Sequence, residues 1–262
     1  MSFFESAVRD QGFGKNIISL PKDHASPFVV LCFILAAYLL SFWVRLEWID
    51  YAQANYTNEA GETVFLRPNM VKDGVALPHT HDSFYFGSVL QNAALGMHQN
   101  NDLLPGVYQN GMITALPYWL ISLFPELSIE HLLLWLPVYV SGVVCIPLVL
   151  IGRLYGSAVW GLGAACLAGI THSYYNRTLA GYYDTDIFAI TSPAFSVFFL
   201  LAASRNQSIR YLLAAGVSLF LGRFFYGSIQ AVTCSLCLGF LGYQIGISLL
   251  SAWYDSTKKT LL

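Results

Sequence analysis

Charge is what this chain has least of. Asp, Glu, Lys and Arg make up 11% of its 262 residues, against roughly 25% in soluble domains. The net charge is −2 and no basic stripe runs along the chain, so nothing marks a nucleic-acid partner. Cysteine offers no disulfide framework. Cys32, Cys145, Cys166, Cys234 and Cys237 all sit inside apolar runs, where a thiol behaves as a small buried hydrophobe. Cys234 and Cys237 form a CxxC, but no second pair or nearby His completes a zinc pattern. A cleavable signal peptide is lacking as well. The first apolar run begins at Pro27, is too long for a signal-peptide core and has no small-residue cleavage site. No internal repeat and no low-complexity segment is visible.

What the chain has instead is hydrophobic residues, 56% of the total, in long blocks. A helix needs about 20 apolar residues to cross a hydrocarbon layer ~30 Å thick. Six blocks meet that measure. The first runs from Pro27 to Trp48, and the others cover about 131–151, 154–175, 187–203, 210–226 and 229–250. Between the first and second lies a polar stretch of about 49–130. The later connectors are short and carry turn residues at Gly152-Arg153, Gly181, Ser204-Arg205-Asn206 and Gly227. The fold predicted is all-α: a polytopic integral membrane protein of about six transmembrane helices with a large first external loop. Residues 1–26 are then a cytoplasmic segment and 27–262 the transmembrane domain.

The basic residues orient it. With the N-terminus inside, Arg9, Lys15, Lys22, Arg153, Arg205, Arg210, Lys258 and Lys259 are cytoplasmic, eight of the thirteen Lys and Arg. The first external loop is acidic, with Glu59, Glu62, Asp73, Asp82, Asp102, Glu126 and Glu130. A loop this long carries structure or function. Residues 82–97 read as a helix with one apolar side, and 112–124 as a second apolar stretch interrupted by Pro117; both suit the membrane interface. Asn55 to Gly74 reads as a polar loop with a short hairpin.

Ionisable residues beside membrane spans are functional candidates by default, and here they gather at external helix ends. Asp82 stands in His79-Thr-His-Asp82-Ser-Phe-Tyr-Phe-Gly. It serves either as a helix cap or as a ligand. His79 and His81 alone make a weak metal motif. The second cluster is Ser173-Tyr-Tyr-Asn-Arg177-Thr-Leu-Ala-Gly-Tyr-Tyr-Asp184-Thr-Asp186. Its tyrosines fit an interfacial belt. Its charges are harder to account for in so short a connector. Asp184 and Asp186 are two apart, so on a helix they would point about 200° apart. Either also suits capping of the next span, with Arg177 as a neutralising partner. Carboxylates on two separate loops suit a hard divalent cation, and magnesium often takes one or two carboxylates plus substrate phosphate.

The run from Ser173 to Asp186 resembles the signature of bacterial PglB-type oligosaccharyltransferases, relatives of the eukaryotic catalytic subunit of protein N-glycosylation. The resemblance extends over most of the chain. It takes in the first span, the acidic first outer loop with an Asp opening a helix, and the order of the later spans. It implies transfer of an oligosaccharide from a polyprenyl diphosphate to the asparagine amide of Asn-x-Ser/Thr acceptor polypeptides. It also implies a bacterial inner-membrane location with the active site facing the periplasm, and Mg2+ or Mn2+ as cofactor. Carried over residue by residue, Asp82, Asp184 and Asp186 are metal ligands. Asp82, Asp184 and Arg177 are catalytic or support the site, and Asp186 with Tyr183 contacts substrate. The family's third acidic residue lies in a later external loop, and its acceptor is read by a Trp-Trp-Asp motif in a C-terminal periplasmic domain. No Trp-Trp-Asp occurs in these 262 residues, so the expectation is an N-terminal portion that is inactive alone. Asn55-Tyr-Thr and Asn176-Arg-Thr are themselves Asn-x-Thr triplets; Asn176, in a short connector, belongs to the site and is not an acceptor. The alternatives are another lipid-phosphate glycosyltransferase, or a non-catalytic membrane subunit or transporter. A transporter would place its polar groups near mid-bilayer, whereas here they lie at one end.

Overall fold

The computed structural model describes residues 23–96 and 106–260, with side chains as far as 250. Most of the predicted N-terminal segment, Asp102 and the Lys258-Lys259 side chains lie outside the described part.

Helix α1 spans Pro27–Val44. Ser26 caps it by accepting from the Val29 amide, and Pro27 fills the first turn, where its missing N–H costs nothing. Phe28, Leu31, Leu35, Leu39 and Trp43 are exposed on it, as befits a helix that is apolar all round and meets lipid. The chain breaks at Arg45-Leu46 and resumes as α2, Glu47–Gln53. Two small antiparallel ribbons follow. Strand β1 (Asn55–Thr57) pairs with β2 (Thr63–Phe65), which is the expected hairpin. Strand β3 (Val71–Lys72) pairs with β4 (Val75–Ala76). Between the latter, Asp73 and Gly74 have φ of 50° and 81°, the left-handed pair that an Asp-Gly hairpin turn requires.

Helices α3 (His81–Ala94) and α4 (Met112–Leu123) complete the external loop. They pack on each other and on α5 (Ile129–Ser141). Phe86, Val89, Leu90, Ile113, Leu132, Leu133 and Leu136 form one core there with Tyr183, Ile187 and Phe188. Both helices are thus cemented to a membrane helix by apolar burial.

A 3-10 turn at Gly142–Val144 leads from α5 into α6, Cys145–Leu154. Helix α7 (Ala158–Ile170) turns back against α6 and α1, and its last turn leads into the short α8, His172–Tyr175. After the connector come α9 (Asp186–Ala189), α10 (Thr191–Asn206), α11 (Ile209–Phe225) and α12 (Ile229–Thr260). Gln207, with φ of 49°, closes the α10–α11 hairpin. Ser192 and Ser218 exchange hydroxyl-to-carbonyl bonds of 2.9 and 3.2 Å across it.

The protein is therefore an all-α polytopic membrane protein. Among the described residues four helical stretches are long and apolar enough to cross a membrane: Pro27–Gln53, Ile129–Leu154, Asp186–Asn206 and Ile229–Leu250. The other two predicted spans are helical but shorter. Helix α7 has 13 residues and α11 has 17, about 20 and 25 Å of helix. Thr171 breaks the former before α8, and Arg210 and Arg223 flank the latter. If α7 completes a crossing, three spans separate position 84 from position 206. Phe84→Cys and Asn206→Cys, each compared with the parent chain in sealed vesicles, are then labelled by an impermeant maleimide from opposite faces. Labelling from the same face contradicts that topology.

Candidate active site

The site is built by one connector, residues 176–185, stitched to three other elements. The Ala180 amide donates to the Arg45 carbonyl at the α1–α2 break (3.1 Å), and the Gly181 amide to the Leu134 carbonyl on α5 (2.9 Å). The Gly181 carbonyl accepts from the His79 amide (3.3 Å). Gly181 has φ of 79°, and a Cβ there would lie 3.2 Å from both the Pro78 Cα and the His79 Nδ1. Its close approach to the segment before α3 needs glycine.

Ser83 completes the join. It is wholly buried. Its hydroxyl donates to the Gly181 carbonyl (2.9 Å) and accepts from the Tyr183 amide (2.8 Å). Thr80, not Asp82, caps α3, accepting from the Ser83 amide at 3.1 Å. Asp82 sits in the first turn, where the helix N-terminus favours a carboxylate. It is exposed and makes no side-chain bond to another described residue.

Asp82, in the first turn of α3, and Asp184, on the connector, are thus about a hundred residues apart in sequence yet close enough for their charges to interact. Burial pushes the Asp184 carboxyl above the usual carboxylate range. The Thr185 amide pulls it back, and the charges of Asp186 and Asp82 push it up again. Asp186 takes a different course. It forms a 2.6 Å ion pair with Arg177, which holds the Arg177 guanidinium charged. Among the described residues no three His, Cys, Asp or Glu groups approach closely enough to hold an ion by themselves. Asp186 is therefore not gathered into a ligand triplet with Asp82 and Asp184; its carboxylate turns to Arg177. What the described residues offer a hard cation here is two carboxylates, Asp82 and Asp184. One of them is held under like-charge pressure that a cation would relieve. That donor set fits magnesium or manganese, whose remaining positions go to water and substrate oxygens.

Tyr183, expected to contact substrate, lies elsewhere. It is wholly buried, packs edge-on against Phe86 and donates its hydroxyl to the Ile113 carbonyl. An aromatic body with a satisfied hydroxyl belongs in a core, and here it locks the connector onto α3 and α4. Tyr182 points the other way and is half-buried beside Arg177 and the carboxylates. His79 is packed on Trp48, ring centroids 4.0 Å apart, with Tyr182 at its edge. Burial drives its pKa down to about 4, so it is neutral at physiological pH. His81 is exposed.

Three supporting residues escaped the sequence reading: Ser83, Arg45 and Thr178. Ser83 stands next to Asp82, so a search for hydroxyls beside the candidate acids would have found it. Arg45 closes an apolar run two residues before Glu47, a position where an arginine usually snorkels to the interface.

The comparisons with known proteins agree with the geometry. The family model described as oligosaccharyl transferase STT3, N-terminal, matches residues 74–259, which include both carboxylate connectors. The chain belongs to the STT3 oligosaccharyl transferase family. Relatives include the undecaprenyl-diphosphooligosaccharide–protein glycotransferases of two Campylobacter jejuni strains, serotype O:2 and RM1221. Each is 31% identical over 214 residues, which is 81% of this chain and 28% of the relative. The chain thus spans little more than a quarter of the length of these relatives.

Proposed function

We propose that this chain supplies the donor-side half of an oligosaccharyl transferase site, one that moves a glycan from a polyprenyl diphosphate to an acceptor asparagine. The observation that carries the reading is the Ser83 bridge, which brings Asp82 and Asp184 to one end of an apolar helix assembly. Lipid-linked donors have a diphosphate head at the membrane surface and a hydrocarbon tail within it, and this placement suits both. Family membership and the names of the Campylobacter relatives point the same way.

The chemistry explains the need for carboxylates. An amide nitrogen is a poor nucleophile because its lone pair is delocalised into the carbonyl, the resonance that gives peptide bonds a rotation barrier of ~18–20 kcal/mol. Asp82, exposed and free of side-chain bonds to the other described residues, accepts an N–H of the acceptor amide and weakens that delocalisation. The new bond joins the amide nitrogen to the sugar C1. The bond from C1 to the diphosphate oxygen breaks, its electron pair leaves with the diphosphate, and the nitrogen passes one proton to the Asp82 carboxylate that accepts its N–H. Attack opposite the leaving group inverts the anomeric centre. Asp82 and Asp184 would hold a magnesium or manganese ion, which when bound offsets charge on the departing diphosphate. Arg177 keeps Asp186 paired, so that Asp184 remains the available carboxylate of the connector. In this reading the protein lies in a bacterial inner membrane and its carboxylates face the periplasm.

The test is a chimera in which residues 1–250 replace the matching front part of a Campylobacter jejuni relative. It is given manganese and a fluorescent Asn-x-Thr peptide. The donor is either a polyprenyl diphosphate oligosaccharide or a polyprenyl phosphate monosaccharide. Transfer of the whole glycan from the diphosphate is the expected result. Transfer from the monophosphate alone contradicts the reading.

A further inference from the structure

Arg45 is wholly buried, yet its guanidinium has no carboxylate partner among the described residues, where the ion pair found is Arg177–Asp186. An unpaired buried charge is costly, and inside a membrane protein it is retained for a purpose. Its contacts show what it does. Nε donates to the Thr178 hydroxyl (2.9 Å). Nη1 donates to the Ser41 carbonyl and hydroxyl (2.8 and 2.6 Å) and to the Gly169 carbonyl at the end of α7 (2.9 Å). The guanidinium lies over the Tyr174 ring, 5.2 Å from its centroid. The main chain adds a second tie, from the Ala180 amide to the Arg45 carbonyl (3.1 Å). One residue thus grips α1, the end of α7 and both sides of Leu179. Thr178 is in turn bonded to the Tyr174 carbonyl (2.7 Å) and follows directly on Arg177.

We propose that Arg45 is a positioning residue of the site. Its fork sets the Thr178–Ala180 backbone, so that Arg177 engages Asp186 while Asp184 stays beside Asp82. The inference rests on the reading of those carboxylates as a cation site. The planar fork is the reason for arginine. A lysine carries the charge but meets acceptors from one point, and it cannot span Thr178, Ser41 and Gly169 together.

The experiment uses the whole chain in lipid nanodiscs and compares it with Arg45→Lys, Thr178→Val and Asp184→Asn. Two quantities are read, amide hydrogen exchange by peptide and manganese affinity by electron paramagnetic resonance. Thr178→Val removes the hydroxyl that Arg45 grips together with its bond to the Tyr174 carbonyl, and it keeps the test open should Arg45→Lys fail to fold. The expected result for both is exchange about tenfold faster in peptides covering 172–186, from loss of a buried charged hydrogen bond. Peptides from 129–154 are unchanged and manganese binds several-fold more weakly. Unchanged exchange in the connector, or equal acceleration in both regions, overturns the proposal, the second because it marks a merely structural arginine. Asp184→Asn separates the two claims. If it binds manganese as the parent does, the cation reading fails, while the exchange data still judge Arg45.

Discussion

Asn at position 82 or 184 is expected to lower glycan transfer by the chimera at least about a hundredfold, the usual cost of removing one electrostatic group from a reacting centre. Each substitution keeps the size and one oxygen acceptor, so the fold is retained. At Asp184 the oxygen bonded to the Thr185 amide survives in Asn, and the connector keeps its turn. The loss therefore falls on turnover with the lipid-linked donor, and the folded fraction, read by gel filtration and thermal unfolding, stays at the parent value. The double variant is expected to be little worse than either single one, because groups that share one ion act as a unit. A product of the two single losses would mean that Asp82 and Asp184 act separately.

The second large effect is on stability and comes from glycine. Helices α6 and α7 meet backbone to backbone at Gly152 and Gly161. A Cβ at Gly161 would lie 2.6 Å from the Val149 carbonyl oxygen and 2.9 Å from the Val149 Cα, and one at Gly152 would strike the Gly161 main chain. Neither neighbour is a flexible side chain, so the helices must separate. Small residues allow such close approach in membrane proteins, where packing, not water exclusion, holds helices together. Gly161→Leu is expected to cost at least about 3 kcal/mol and to leave little folded protein in a thermal-unfolding measurement in detergent. Gly163→Leu, two residues on and facing open space, is the control and stays near the parent. Equal losses at both positions would mean that the α6–α7 contact does not set the effect, since leucine is the better helix former at either position.

Much of this architecture was legible in the residues. Blocks of apolar sequence gave six helices near their observed places, because a span is a local property of about 20 residues. The two short ones, α7 and α11, show the limit of that rule. Hydropathy does not see Thr171 break a helix, nor the arginines at the ends of α11. In the external loop 82–97 reads as a helix and 112–124 as an apolar stretch interrupted by Pro117, and both places hold helices. Their packing against α5 was not legible, because it depends on Leu90, Ile113 and Leu133 meeting across chain that is distant in sequence. At the site, Asp82, Asp184, Asp186 and Arg177 were all legible as charges in apolar surroundings. Which carboxylate pairs with Arg177 was not, since Asp184 and Asp186 follow it by seven and nine residues and only the turn at Asp184-Thr185 separates them. Tyr183 illustrates the remaining ambiguity. Two adjacent tyrosines alternate between core and surface, and the pattern Gly-Tyr-Tyr-Asp does not say which is which.

The central claim is that Asp82 and Asp184 form one cation site, and manganese binding to the chain in nanodiscs tests it most directly. Electron paramagnetic resonance at neutral pH is expected to show one site in the parent, and its loss in both Asp82→Asn and Asp184→Asn. Because the Asp184 carboxyl is raised by burial and by neighbouring like charge, protons compete with the ion early as the solution is acidified. Affinity then declines at a pH above the ordinary aspartate range. Binding that survives in both variants, with no pH dependence, would contradict the account.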